Sequence, residues 1–230
     1  MDALAINLMM HCNWKFAVFS PENYPAEMHY HKLIEKVKNG SLNSMTDEDI
    51  DVAIKIINNS FFFIDALEDD LSLENILTQT KELIDSKKID ALIIDPWNEI
   101  ELNRPNNVSE SDFIGNCLRT SRKFARKYNI HLFIVAHPTK LQKGKDGKYP
   151  IPELWDISGS AHWRNKADNG ICVHRDYEKK CTIIIVQKVK FKYFGRQGEI
   201  ELYYDENSGR YNENRAEDDT DDRLDEGWYR

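Results

Sequence analysis

Apolar residues follow two patterns along this chain: short continuous runs, and longer stretches in which an apolar residue returns every three or four positions. Residues 1–12 show the second pattern, and residues 14–19 form an apolar, β-prone run. Helical spacing indicates an amphipathic helix, whereas a short apolar run favours a buried strand. We therefore predict a helix over 1–12 followed by a buried strand over 14–19.

The alternation of helix and strand is repeated before residue 136. Thr46 with Asp49, Ser72, and Ser109 with Asp112 are helix-capping residues that precede apolar positions at helical spacing. The strands predicted after these helices cover residues 61–64, 91–95 and 131–136. Apolar strands separated by helices predict an α/β fold with a mostly parallel sheet between layers of helices.

Three later apolar stretches follow one another without helices between them. They cover residues 170–174, 181–188 and 199–204, and short polar turns join them. Short turns suit hairpins, so we predict antiparallel strands at one edge of the sheet. Residues 1–211 are predicted to form one domain, and residues 212–230 an acidic, disordered tail.

Charge does not exclude a nucleic-acid partner. The formal net charge of the 230 residues is −8, but residues 213–230 hold eight acidic and three basic side chains. They contribute −5 of the −8, which leaves −3 for the rest of the chain. An overall acidic chain can therefore still present basic surfaces to a polyanion.

Composition also narrows the class of protein. No run approaches the roughly 18 apolar residues of a membrane helix, and the start of the chain lacks the basic segment of a secretory signal. The four cysteines lie in apolar segments without a C-x-x-C pair, which favours reduced core residues over disulfides or a zinc site. We expect an intracellular protein without a membrane partner.

Three predicted strands end near polar groups that suit phosphate chemistry. Glu22 follows the first strand, Asp95 ends the third and His137 follows the fourth. Ligands of open α/β sheets bind at the carboxyl ends of strands. There a glutamate can polarise water, an aspartate can help to hold Mg²⁺, and a histidine can contact a γ-phosphate. Each is also compatible with an ordinary solvated loop residue.

The order of five sequence segments along the chain indicates a family of proteins. They are SPEN at 20–23, LIIDPWN at 92–98, VAHPTK at 135–140, DISGSAHWRNKADN at 156–169, and QKVKF at 187–191 with GRQG at 195–198. In this order the chain resembles the C-terminal motor of DnaB-like hexameric replicative helicases, above all phage primase-helicases and Twinkle. The resemblance extends over residues 1–211.

The resemblance implies a RecA-like P-loop NTPase core that binds ATP, or another NTP, with Mg²⁺. By position, Glu22 matches the catalytic base, Asp95 the Walker B aspartate that holds the metal, and His137 the sensor of the γ-phosphate. We accordingly expect an ATP-dependent helicase for DNA replication that moves along single-stranded DNA as a ring and unwinds the duplex.

Four further residues match nucleotide-contacting positions of the family, and a fifth is a candidate for one of these roles. Lys188 and Lys190 match the strand whose cation reaches the ATP of a neighbouring subunit, and Lys190 stands where the family usually has arginine. Lysine lacks the planar fork of guanidinium, so Arg196 is a further candidate for that role. Arg175 and Tyr204 match positions that flank the adenine base, where a cation and a ring can stack on it.

The resemblance also implies DNA contacts by three loops of the central pore. The candidate residues are Arg104 in 98–110, Lys140, Lys143, Lys145 and Lys148 in 139–149, and the turn formed by Ser158, Gly159 and Ser160. Lysines beside small residues suit sequence-independent binding of phosphates, with an affinity that falls as salt rises. The alternative is a solvated, lysine-rich loop.

One part of the family pattern does not occur in the sequence, namely the phosphate-binding loop G-x-x-x-x-G-K-[ST]. In the family that loop and its strand precede the helix that residues 1–12 resemble, so we expect Met1 to interrupt a larger reading frame. A sheet without that strand has a gap beside apolar neighbours, which predicts a lower stability than that of a complete domain.

The expected partners follow from the same resemblance. They are other copies in a hexameric ring, a primase domain in the same polypeptide, and a replicative polymerase that contacts the acidic tail, in the cytoplasm of a bacterial or phage-infected cell. Two alternatives stay open. One is a catalytically silent DNA-binding or ring-assembly subunit, and the other is a RecA-like recombinase or signalling ATPase.

Overall fold

A four-stranded parallel sheet forms the centre of the computed structural model, which describes residues 1–64, 71–101, 103–145, 147, 149–159 and 161–214. Across the sheet its strands are β2 (Phe61–Phe63), β1 (Phe16–Phe19), β3 (Ala91–Ile94) and β4 (His131–Ile134). The register places Phe19 beside Ile94, and Ile94 beside Ile134. The predicted parallel sheet is confirmed, and its last three strands end together.

Helices connect these strands and cover the sheet. They are α1 (Asp2–Cys12), α2 (Ala26–Lys38), α3 (Asp47–Ser60), α4 (Leu73–Lys87), α5 (Glu110–Tyr128) and α6 (His162–Lys166). None of the helices in the described ranges is long and apolar enough to cross a membrane. Two were not predicted: α2, because the buried polar residues His29 and Lys36 interrupt its apolar stripe, and α6, because it has only 5 residues.

The predicted helix starts are confirmed in detail. The Thr46 hydroxyl accepts the Asp49 backbone N–H at 3.2 Å, and the Asp49 carboxylate accepts the Thr46 N–H at 3.3 Å. Ser72 and Ser109 cap α4 and α5 through their side-chain oxygens. These bonds satisfy amide groups that the first turn of a helix leaves without partners.

Alternate residues of β1 and β3 enter two cores on opposite faces of the sheet. Ala17, Phe19, Leu92 and Ile94 pack with α4 and α5. The intervening residues pack with α1, α2 and α3; they are Phe16, Val18, Ala91 and Ile93. All four positions of each strand are therefore buried, which explains the continuous apolar runs in the sequence.

A second sheet is antiparallel, in the order β5 (Asn169–Asp176), β6 (Cys181–Val189), β7 (Gly198–Asp205) and β8 (Arg210–Asn212). The three predicted late strands are confirmed as β5, β6 and β7, but within the described residues no pairing joins them to β4. Ile171 and Val173 on β5 are 51% and 65% exposed, and β4 is only partly buried. Among the described residues the parallel and the antiparallel strands thus form two separate sheets. The gap expected from a missing strand stays a prediction.

Two predictions need correction, one on the domain boundary and one on the cysteines. Asn212 pairs with Tyr203 through β8, so the folded region extends past residue 211, while residues 215–230 of the acidic tail lie outside the described ranges. Cys12 is exposed and Cys181 buried, so the prediction of core cysteines is wrong for Cys12. Cys12 occupies the last turn of α1, beyond the helix residues that contact the sheet.

The turn between β7 and β8 ties the second sheet to α2. Arg210 Nε donates to the carbonyl of Lys36 at 2.6 Å, and Ser208 is fully buried. Gly209 adopts a φ of +63°, and a Cβ atom there would come within 2.6 Å of Lys36 Nζ. This turn requires glycine both for its backbone conformation and for its approach to α2.

Gly209→Ala should lower the free energy of unfolding by about 1–2 kcal/mol, because alanine is strained at this φ and its methyl group displaces Lys36. Gly198→Ala is the matched control, since no atom lies within 4 Å of its Cβ position. The control should unfold at the same urea concentration as the unaltered chain, or slightly above it. Equal urea midpoints for the two variants would contradict the role of this turn.

Candidate active site and nucleic-acid interface

Three loops leave the parallel sheet at one edge. The backbone N–H of Asp95 donates to the carbonyl of Phe19 at 2.9 Å, and that of Val135 donates to the carbonyl of Ile94 at 2.9 Å. These bonds continue the hydrogen-bonding pattern of the sheet just past the ends of β1, β3 and β4. The loops that follow these strands therefore begin at the same edge of the sheet. The three polar groups predicted at strand ends therefore share this edge.

Glu22 and His137 lie side by side. Glu22 Oε1 is 3.7 Å from His137 Nε2, and their side chains are 53% and 55% exposed. At this distance a protonated imidazole attracts the carboxylate, but the two do not form a hydrogen bond. Asn98 Oδ1 accepts the His137 backbone N–H at 3.2 Å and so positions its loop. Both groups stay accessible to water or to a phosphate.

Asp95 is more shielded than Glu22 and His137. Partial burial raises the pKa of its carboxyl, and the negative charges of Asp2 and Glu22 act in the same direction. The charged amino group of Met1 and His29 oppose this effect with positive charge. A carboxylate disfavoured in this way is stabilised by a cation placed next to it.

A buried pair of side chains, Asp2 and His29, lies near Asp95 and was not predicted from the sequence. His29 is 3% exposed, and its Nε2 lies 3.1 Å from Asp2 Oδ1. The His29 ring also packs edge-on against Phe63, with ring centres 5.2 Å apart. Although burial opposes the change, the hydrogen bond with His29 lowers the pKa of Asp2. The pair joins the starts of α1 and α2, 27 residues apart, which no local pattern reveals.

Asp95 fits the role of a Mg²⁺ ligand. Mg²⁺ takes oxygen ligands and is commonly held by one or two carboxylates together with phosphates of the substrate. Among the described residues no cluster of three His, Cys, Asp or Glu side chains is arranged to hold a metal ion. A single half-buried carboxylate at this edge suits a metal that arrives with a nucleotide.

Asp168 connects the end of β6 to α5, a role not predicted from the sequence. Its Oδ1 lies 2.6 Å from Lys190 Nζ and 2.7 Å from Arg122 Nη2. Although burial opposes the change, the Lys190 hydrogen bond and the Arg122 charge lower the pKa of Asp168. Lys190, one of the cations expected to reach the nucleotide of a neighbouring subunit, is thus bound within its own chain. The partner Arg122 lies 46 residues away, so only the folded chain brings the three together.

The other two cations expected to reach a neighbouring subunit, Lys188 and Arg196, differ in whether they are bonded within the chain. Lys188 Nζ donates to the carbonyl of Arg164 at 2.5 Å, and partial burial lowers the pKa of Lys188. Arg196 is exposed in the loop between β6 and β7, and its guanidinium has no partner within the described ranges. Of the three cations, Arg196 is the one available to a neighbouring molecule.

Arg175 and Tyr204 lie on one face of the second sheet. Arg175 pairs with Thr182, and Thr182 with Leu202, so Tyr204 two positions farther on faces the same side. The Arg175 guanidinium lies 5.4 Å from the ring centre of Tyr177. Partial burial raises the pKa of Tyr204, whereas the charge of Arg175 lowers it. The two predicted base-contacting residues thus share one face but lie on strands separated by β6, in a sheet separate from that of Asp95.

The lysine loop, residues 138–157, is closed at its neck by an antiparallel bridge between Pro138 and Ile157. Its exposed cations are Lys140, Lys143 and Lys145. Arg104 Nη1 donates to the carbonyl of Val108 at 2.7 Å and closes the shorter loop before α5. The structure thus places three of the predicted DNA-contacting lysines on one closed loop.

The small-residue turn after the lysine loop packs against α5. Gly159 has a φ of +89°, and a Cβ atom there would come within 2.4 Å of the Ile114 side chain. Glycine is therefore needed at this close approach. Ser158 is exposed beside it, whereas Ser160 and Lys148 lie outside the described residues.

Comparison of the chain with solved structures gives the fold. The ATPase domain of the protein G40P matches with a TM-score of 0.71 at 19% identity, over 90% of this chain and 76% of that chain. A structure described as that of a DnaB-like replicative helicase and its interactions with primase matches with a TM-score of 0.73 at 20% identity. That match covers 91% of this chain and 52% of the other. The fold is that of a RecA-like ATPase domain.

Comparison of sequences gives the family. The Twinkle homolog protein, chloroplastic/mitochondrial, of Arabidopsis thaliana is 35% identical over an alignment 227 residues long, which covers 92% of this chain and 32% of that protein. This chain thus spans about a third of the length of that relative. The family model described as DnaB-like helicase C terminal domain matches residues 3–213. The match covers almost the whole chain, which therefore belongs to the DnaB-like helicase C-terminal domain family.

Proposed function

We propose that this chain is the ATP-hydrolysing motor domain of a replicative DNA helicase. It moves along single-stranded DNA as a hexameric ring and unwinds the duplex, within a polypeptide that also carries a primase. The observation that carries the proposal is the meeting of Glu22, Asp95 and His137 at one sheet edge of a helicase-family chain. Open α/β sheets bind their ligands at that edge.

In the proposed reaction Glu22 accepts a proton from the water that attacks the γ-phosphate. Its exposed carboxylate, 3.7 Å from His137, leaves room for water to contact both groups. His137 senses the γ-phosphate, and its backbone bond to Asn98 links it to the loop of Asp95. Asp95 would hold Mg²⁺, which when bound neutralises negative charge on the phosphates.

Arg196 is the cation assigned to the nucleotide of a neighbouring subunit. Lys188 and Lys190 are held within the chain by contacts of 2.5 Å and 2.6 Å, which they would have to give up. Arg196 is exposed, and its planar guanidinium can bind two phosphate oxygens at once. Arg175 and Tyr204 would hold the base, because a cation and a ring on one face suit a flat ligand.

The lysine loop and Arg104 would line the path of the DNA, because exposed cations bind phosphates without reading sequence. Contact with primase is proposed because one structural neighbour is described as a helicase with its interactions with primase. The ring, and a polymerase contact by residues 212–230, rest on the family resemblance. The named relative is organellar, so it gives no specific support to a phage or bacterial location.

DNA-stimulated ATP hydrolysis tests the proposal. It would be measured for this chain and for a longer version that carries a phosphate-binding loop ahead of residue 1. Hydrolysis by the longer version alone, stimulated by single-stranded DNA, is the expected result. If neither hydrolyses ATP, the catalytically silent DNA-binding or ring-assembly subunit replaces the proposal. Strand exchange without unwinding would instead favour a recombinase.

Glu22→Gln in the longer version should lower kcat for ATP hydrolysis by about 10²–10⁴-fold, because an amide cannot take up the proton. Nucleotide binding, measured by fluorescence of a labelled ATP analogue, should persist because Asp95 is unchanged. Glu27→Gln, which removes an exposed carboxylate on α2, is the matched control. The same loss in both variants, or none in Glu22→Gln, would exclude Glu22 as the base.

Asp95→Asn should abolish Mg²⁺-dependent hydrolysis and yet raise the thermal unfolding midpoint of the metal-free chain at neutral pH. Partial burial raises the pKa of this carboxyl above 3.8, so the native state loses stability as pH rises through the raised pKa. The variant lacks that loss, and the difference in midpoint should vanish below pH 3.8. Asp51→Asn on the exposed side of α3 should show no such difference. A lower midpoint for Asp95→Asn at neutral pH would mean that the fold stabilises the charge.

Replacing the three lysine-loop cations by glutamine should lower the slope of log affinity against log salt by up to about 2, since each phosphate contact on a single strand contributes about 0.7. The variant is Lys140→Gln, Lys143→Gln and Lys145→Gln, and anisotropy of a labelled oligothymidylate measures the affinity. A control that removes equal charge from α3 and α4 carries Lys55→Gln, Lys81→Gln and Lys87→Gln. Equal slopes in the two variants would mean that general charge, and not this loop, binds DNA.

A further inference from the structure

The most exposed large apolar side chains of the described residues lie on one turn. Tyr193 is 84% and Phe194 87% exposed, in the connection between β6 and β7. Phe191, at the start of the same turn, is 51% exposed. We call residues 191–196 the aromatic loop. Rings of this size are unfavourable in water, so such a loop indicates a binding surface.

A backbone hydrogen bond and a ring contact within the aromatic loop orient Phe191 and Phe194. The Phe194 N–H donates to the Phe191 carbonyl at 3.0 Å, and the two rings meet edge to face with centres 6.1 Å apart. Just after the loop, the Gln197 side chain donates to the carbonyl of Gln187 on β6. The turn therefore holds its rings away from the sheet.

Cations alternate with these rings. Lys192 Nζ lies 5.2 Å from the ring centre of Tyr193, and Lys190 Nζ lies 5.0 Å from that of Phe191. Between Lys190 and Gly198 the sequence has no carboxylate. Rings flanked by cations complement a ligand with flat bases and a negative backbone.

The aromatic loop stands next to the end of the lysine loop, and Gln187 connects the two. Gln187 Nε2 donates to the Pro152 carbonyl at 2.7 Å, and its Oε1 accepts the Leu154 N–H at 3.0 Å. Its backbone carbonyl accepts the Gln197 side chain. A nucleic-acid strand that reaches Pro152 and Leu154 at the end of the lysine loop would therefore approach the base of the aromatic loop.

We propose that Tyr193 and Phe194 stack on bases of single-stranded nucleic acid while Lys192 contacts its phosphates. This inference rests on the proposed function, from which it takes the ligand, and adds the surface that contacts the bases. Stacking requires only the face of a ring, so the contact is independent of base sequence.

The test compares binding of a labelled oligothymidylate and of an abasic oligonucleotide of the same length, measured by anisotropy. Tyr193→Ala with Phe194→Ala should weaken binding of the oligothymidylate by about 5- to 150-fold for each ring that stacks. Binding of the abasic strand, and the salt slope, should not change. Tyr193→Phe with Phe194→Tyr should keep full affinity, and so should Tyr177→Ala, which removes a ring that is 75% exposed elsewhere.

Several results would overturn the inference. They are an unchanged affinity of the double alanine variant for oligothymidylate, an equal loss on the abasic strand, and a loss of self-association in sedimentation velocity. The last would assign the aromatic loop to contact between copies. The proposed function fails by different results: no ATP hydrolysis by the longer version and no effect of the lysine-loop substitutions on DNA binding.

Discussion

Parallel pairing of β1, β3 and β4 is the constraint on which the rest of the structure depends. Each residue of β1 and β3 is buried on one face or the other, so a shift of register by one residue would exchange the two cores. The pairing of Phe19 with Ile94, and of Ile94 with Ile134, makes the strands end together. The polar groups that follow must then meet at one edge. The candidate site is thus a consequence of apolar burial.

The charge of Asp95 at that edge lowers the stability of the chain when no cation is bound. Asp95 is half-buried near the carboxylates of Asp2 and Glu22, and its pKa is raised as a result. The charged amino group of Met1 and His29 offset only part of the effect of burial and of these carboxylates. Perturbed carboxyl groups at strand ends are typical of sites that bind cations and phosphates. The arrangement that weakens the fold therefore supports the proposal that Asp95 holds a metal ion.

The second sheet divides its cations into fixed and available ones. Asp168 holds Lys190 against α5, and the Arg164 carbonyl holds Lys188, so both belong to the internal framework. Arg196 and the aromatic loop extend beyond that framework. A rigid base with projecting cationic and aromatic groups suits contact with a neighbouring subunit and with a nucleic-acid strand. Gln187 joins this base to the end of the lysine loop, through bonds with Pro152 and with Gln197.

Local signals were sufficient for most of the fold. The sequence predicted the Thr46 capping box, the apolar strands, and the strand-end residues Glu22, Asp95 and His137. These features were predictable because helix caps, side-chain periodicity and strand ends depend on residues that are close in the sequence. Helix α2 was not, because its buried His29 depends on Asp2 of another helix. The Lys190–Asp168 pair and the separation of the second sheet were likewise decided only by the tertiary structure. They depend on which distant segments approach one another, and no local pattern contains that information.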